Sequence, residues 1–271
     1  MKTSNQSRFS ALRVYAMILR YFYLLRGSIP RIVELAYWPT MQMLIWGFMS
    51  QFLVNHSEWF IQAGGILIGA VLLWDIMFRS NIGVSISFLE EMWSRNLGQL
   101  FASPLRPYEW AFSLLVISAI RTIIGIVPAA LLAIPLYQYS IFEMGLPLIA
   151  FFVNLLVFGS AVGLAVSGLV LRCGLGAESL AWAVIFAVAP LSGIYYPIDT
   201  LPSWLQPVAY ALPSSHVFEG MRSVVLDQEF LINRFIWSVS LNVVYLSLGL
   251  AVFLLAFQTA RHRGQLLQMG E

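Results

Sequence analysis

The chain has 271 residues, of which 59% are hydrophobic and only 10% charged; mean hydropathy is +0.80 and formal net charge is +2. A soluble domain is roughly 45–50% apolar with about 25% charged residues, so this chain has too few charges to coat a globule in water and its outer surface must meet lipid. One cysteine, Cys173, excludes an intrachain disulfide, and three scattered histidines (His56, His216, His262) have no metal-ligand spacing.

Residues 8–26 are basic and aromatic, too charged to span, and suit a helix lying in the membrane interface near anionic headgroups. Arg20 and Arg26 interrupt its apolar stretch, so it does not read as a cleaved secretory signal. Residues 1–31 are therefore expected as a basic interfacial helix, followed by a membrane domain over 32–271.

Six stretches have the apolar length a spanning helix needs, about 20 residues: 32–54, 59–88, 110–137, 146–171, 179–197 and 235–257. Lys2, Arg8, Arg13, Arg20, Arg26, Arg31, Arg95, Arg106, Arg172, Arg261 and Arg263 fall on one side of that array, eleven of the fifteen basic residues. The positive-inside rule then puts both termini in the cytoplasm. Trp59, Trp110, Trp204 and Trp237 fall near predicted span ends, as interfacial indoles do. Trp46, Trp74 and Trp182 lie deeper, where they either line a pathway or pack between helices.

Inside the second span, Asp75 and Arg79 are four residues apart and can pair on one helix face; Arg121 sits inside the third. Intramembrane charges face a bundle interior, a partner or a cavity. Two readings stay open for these three residues, a substrate route or a structural ion-pair cluster.

Between spans two and three, Leu89, Trp93, Leu97, Leu100 and Phe101 recur at three- and four-residue steps. Glu90, Glu91, Ser94, Arg95 and Gln99 are interleaved with them. This predicts a short amphipathic helix closed by Ser103-Pro104 and Pro107, either passing force to a cytoplasmic protein or lying passively at the interface. The loop at 172–178 is tiny. Lys2 is the only lysine, so these residues hold no G-x-x-x-x-G-K-S/T phosphate loop, and ATP-driven work is expected from another polypeptide.

The segment 198–231 is unusually apolar for a loop and is divided by prolines at 202, 207 and 213, with Pro197 just before it. A pair of short helices dipping back into the outer leaflet fits this, with Ser214 and Ser215 as expected helix N-caps. Irregular backbone at that depth needs cover from protein or a watery cavity, and the hairpin reads as an external gate.

Three features in this order resemble the type-2 ABC exporter permease family. They are the basic N-terminal helix, LEEMWSRNLGQLFASPLRPYEW after span two, and LSGIYYPIDTLPSWLQPVAYALPSSHVFEGMR after span five. The resemblance covers the whole chain and leans toward the drug and lipooligosaccharide export branch.

It implies an all-α, six-span permease in a bacterial cell inner membrane. Glu90, Glu91, Arg95, Gln99, Ser103 and Pro104 would belong to a coupling helix that contacts the ATPase. Pro197, Leu201, Pro202, Pro213, Glu219 and Arg222 would belong to external re-entrant helices. It also implies two permease chains, as a homodimer, with two soluble ATPase subunits that bind the ATP and magnesium. The chain itself would be non-catalytic, with no cofactor and no nucleic-acid partner. The cargo would be a lipid, a glycolipid or polysaccharide, or a hydrophobic drug-like molecule. Asp75 and Arg79 stand outside the family pattern. An ion-coupled transporter or channel using Asp75, Arg79 and Arg121 is the alternative; the absence of an internal repeat weighs against it.

Overall fold

The structure is a computed structural model that describes residues 9–56 and 63–262. Trp59, Lys2, Arg8 and Arg263 lie outside the described residues. Among those described the fold is all-helical, without a strand. In chain order the helices are α1 (Ala11–Arg26), α2 (Ile29–His56), α3 (Ala63–Trp93), α4 (Leu97–Ala102) and α5 (Pro107–Tyr137). There follow α6 (Leu146–Cys173), α7 (Leu180–Val188), α8 (Gln206–Tyr210), α9 (Pro213–Leu226) and α10 (Ile232–His262).

By length and composition, α3, α5, α6 and α10 can each cross a membrane. α2 has the length, 28 residues, but not the apolar composition. The stretch expected as span five is shorter than expected: α7 has nine residues, followed by the 3-10 turn Ala189–Leu191. Pro190 supplies the physical reason, because its ring cannot accept the preceding α-helical ladder.

α6 occupies the centre and packs against α3 on one side and α10 on the other; α5 packs against α3 and α2, and α1 lies across α5. In lipid no hydrophobic force draws apolar helices together, so close backbone approach and interhelical hydrogen bonds do the work. Gly163 shows the approach: a Cβ there would meet the Asn81 carbonyl at 2.7 Å. Gly249 on α10 meets the Ala161 carbonyl in the same way. Asn154 shows the polar bonds, since its amide oxygen accepts from Ser238 at 3.0 Å and from Asn242 at 2.9 Å, both on α10.

α1 buries Val14, Met17, Tyr21 and Leu25 on one stripe. It leaves Leu12, Tyr15 and Tyr23 exposed on the other, so its outer surface is mainly apolar and aromatic, with Arg26 exposed in its last turn. Trp110, in the first turn of α5, is covered by protein rather than facing lipid: it is 1% exposed, packs on Phe88 and Phe253, and donates to the Tyr21 hydroxyl at 2.9 Å. Trp204 and Trp237 are exposed. Ser214 and Ser215 are not N-caps; α9 starts at Pro213, whose fixed φ suits a first turn, and Leu212 precedes it.

Candidate functional site

The basic end of the bundle is built on three carboxylates. Glu109 sits in the first turn of α5, where a helix N-terminus favours negative charge. Fully buried, it accepts from Arg13 Nε at 2.8 Å and Nη2 at 2.6 Å, from the Ser10 amide at 2.8 Å, and from the Arg106 amide at 3.1 Å. That hydrogen bond to Glu109 holds the Arg13 guanidinium above its ordinary pKa. Tyr21, on the inner stripe of α1, is pushed well above the usual phenol range by burial and stays neutral.

Glu90 and Glu91 occupy the last turn of α3 rather than a separate short helix, which differs from the sequence expectation. Glu91 is 1% exposed; it accepts from Arg20 at 2.9 Å and from Asn96 at 2.8 Å. Glu90 accepts from Arg121 of α5 at 3.0 Å, with Arg31 of α2 at 3.5 Å on the same carboxylate. Both carboxylates therefore face inward and hold α1, α2 and α5 to the end of α3.

The break after Trp93 has a local cause. Arg95 adopts a left-handed conformation (φ 53°), uncommon for a residue with a Cβ, and the Asn96 side chain bonded to Glu91 fixes the turn. The chain then forms the six-residue α4, whose Leu97 and Leu100 are buried. Arg95, Gln99, Ser103 and Pro104 are exposed. Trp93 projects beside them, half exposed, and donates to Glu178 at 3.2 Å. The candidate coupling residues thus divide into two anchors, Glu91 buried and Glu90 partly buried, and an exposed elbow of four.

At the opposite end, Glu219 and Arg222 of α9 staple the turn that follows α7. Arg222 donates to the carbonyls of Gly193, Ile194 (3.3 Å) and Tyr196 (2.8 Å), and pairs with Glu219 at 2.9 Å. Glu219 also accepts from the Ile198 amide at 3.0 Å. A guanidinium suits this task because it presents several donors in a rigid fork. Pro213 is buried and its carbonyl accepts from Ser238 at 3.1 Å. Pro197 and Pro202 are exposed and Leu201 is partly buried. His216, which the sequence did not single out as a site, is bonded through Nε2 to the Tyr210 carbonyl at 2.9 Å and is held below its ordinary pKa by burial.

In mid-bundle the outcome differs from the sequence expectation. Asp75 and Arg79 form no ion pair with each other, although both are buried, and Arg121 pairs with Glu90 instead of joining them. Among the described residues no cluster of His, Cys, Asp and Glu is arranged to hold a metal ion.

Comparison with known proteins fits the geometry. A relative described as ABC transporter G family member 20, from Dictyostelium discoideum, is 28% identical over 172 residues; the match covers 62% of this chain and 23% of that protein. The chain thus spans about a quarter of the length of that curated relative. The family model described as ABC-2 type transporter matches residues 15–226, from the first turns of α1 to the end of α9 and so across both stapled ends of the bundle, and the chain therefore belongs to the ABC-2 type transporter family as a transmembrane ABC permease.

Proposed function

We propose that this chain is the membrane subunit of an ATP-driven exporter, working as a homodimer with two separate ATPase subunits. In this reading the chain crosses the membrane six times, with α2 and the α7 segment completing the spans and both termini on the cytoplasmic side of a bacterial inner membrane. Cargo passes at the interface between the two permease chains, and its class is a lipid, a glycolipid or polysaccharide, or a hydrophobic drug-like molecule. ATP and magnesium bind to the partner, not to this chain.

The observation that carries the reading is the elbow at Arg95, Gln99, Ser103 and Pro104. It is exposed, yet joined through buried Glu91 and partly buried Glu90 to α1, α2, α3 and α5. A push on that elbow by a soluble ATPase would reach four helices at once rather than dissipate in a loop. At the other end, the Arg222 staple ties the turn after α7 to α9, a brace for an external gate formed by α8 and α9.

Copurification of the full chain with a soluble ATPase, and vanadate-sensitive ATP hydrolysis by the complex, test the proposal. A chain that binds no such partner and whose transport follows a proton gradient would sink it in favour of ion-coupled transport.

A further inference from the structure

The corner between α8 and α9 is closed around a buried histidine. His216 is 6% exposed. Its Nε2 lies 2.9 Å from the Tyr210 carbonyl; a carbonyl only accepts, so Nε2 carries the proton and Nδ1 is left as a bare lone pair. That Nδ1 is buried and has no hydrogen-bond partner. It is the atom that a second proton would occupy, and imidazole is the side chain that gains one in mildly acidic water.

Two aromatic rings close on the imidazole. The Tyr210 ring of α8 stands 5.9 Å away, and Trp237 of α10 is stacked on it at 6.4 Å with an interplanar angle of 15°. His216 also lines a partly open recess between α6, α9 and α10, walled by Phe151, Val217, Phe230 and Phe235. Arg234 and Ser238 are the other polar side chains in that lining. Arg234 lies over the Tyr210 ring at 5.0 Å, so a guanidinium and the imidazole share one aromatic neighbour. The titratable and charged groups about His216 are thus Tyr210 of α8, Glu219 of α9 and Arg234 of α10, while α6 presents Phe151.

Nothing in this arrangement receives a proton on Nδ1. Arg234 offers only donors, and the Ser238 hydroxyl is engaged with Asn154 and Pro213. Glu219 is taken by Arg222 and by the Ile198 amide. The Trp237 face stands beyond the roughly 6 Å at which a ring attracts a cation, and the Tyr210 face already holds Arg234. A charge buried without a partner is costly, and a second cation facing the same recess adds repulsion. Burial accordingly holds His216 below its ordinary pKa. The geometry points to His216 as a pH-sensitive latch: neutral, it packs between α8 and α10; protonated, it is expelled, and the α8–α9 corner opens from α10. The latch is independent of what powers the chain. In the orientation proposed above, the pH it senses is that of the external medium.

The test uses the full chain in neutral maltoside micelles, labelled with 15N-histidine, with His216 identified by the signal lost in His216→Gln. Its titration midpoint should fall below the ordinary value of about 6.5, and Nε2 should carry the proton at pH 7.5. Amide exchange at Ala209, Ala211 and Leu212, all bonded within the corner, is followed from pH 7.5 to 5.5 and divided by the intrinsic rate at each pH. The closed corner prefers the neutral ring and the open one titrates normally, so closure is complete above about pH 6.5 and weakens as pH falls below it. Opening at pH 5.5 should exceed that at pH 7.5 by up to about tenfold, while α6 amides keep their protection. His216→Gln retains a donor for the Tyr210 carbonyl but cannot titrate, so its protection should stay flat across this range. Arg234→Gln, at a partly buried position, should raise the His216 midpoint and shrink the response; it keeps the test open where His216→Gln fails to fold. A wild-type midpoint at the ordinary value, as a water entering the recess would give, overturns the proposal. So does corner protection that ignores pH, or that changes equally in His216→Gln.

Discussion

Replacing Arg222 by alanine tests how the turn after α7 is held. The guanidinium makes good hydrogen bonds to the carbonyls of Gly193 and Tyr196 and to Glu219, with a longer one to Ile194. Its side chain is 11% exposed, so water replaces little of this in the variant. Three good bonds at about 1–1.5 kcal/mol each give a loss of about 3–4 kcal/mol, within the range for removing one partner of a buried pair. Lysine keeps the charge but presents one ammonium to several carbonyls, and should lose about half as much. The loss is local, so hydrogen exchange is the assay, read at the amides of Ile198, bonded to Glu219, and of Thr200 and Leu201, bonded within the stapled segment. At about 1.4 kcal/mol per tenfold, Arg222→Ala should speed exchange there by roughly a hundredfold or more under fast-reclosing conditions, while α6 amides keep their rates. Unchanged exchange at those three amides would refute the assignment of Arg222 as the staple.

Glu91→Ala removes the acceptor shared by Arg20 and Asn96; since Arg20 is partly exposed it recovers some hydration, and a loss of about 2 kcal/mol is expected, seen as a lower apparent Tm in detergent and faster proteolysis after Arg95. Arg95→Glu combined with Gln99→Ala alters only exposed side chains, so abundance and Tm should stay at wild-type values while the ATPase activity stimulated by the chain falls severalfold; a parallel fall in Tm would contradict the placement of these residues. Gly163→Val forces a side chain into the Asn81 backbone, and overpacking of about 1–3 kcal/mol should lower Tm, whereas Gly176→Ala, with open space around it, should leave it unchanged. Asn154→Leu strips two interhelical bonds from α10 and should cost only about 1 kcal/mol, because such bonds are weak within lipid; a loss several times larger by thermal unfolding would mean that the node does more than join α6 to α10.

What the sequence alone determined was set by composition and by local rules. Too few charges to meet water dictated helices in lipid, and runs of apolar residues located α3, α5, α6 and α10 without reference to any contact. The absence of any lysine beyond Lys2 excluded a phosphate loop in these residues, and the ordered motifs carried the family resemblance. Tertiary structure decided the partners of the charges. Glu90 and Glu91 read as members of an exposed amphipathic face because periodicity reports only which residues share a helix face, not what stands opposite. The arginines that turn them inward, Arg20, Arg31 and Arg121, arrive from helices remote in sequence. Asp75 and Arg79 had ideal spacing to pair, yet pairing depends on where α2 and α5 lie around them. Trp110 likewise is covered by protein and bonded to Tyr21, a residue 89 positions away. Apolar content is additive along a chain and can be read from it; the neutralisation of a buried charge depends on its three-dimensional neighbours, and those exist only after folding.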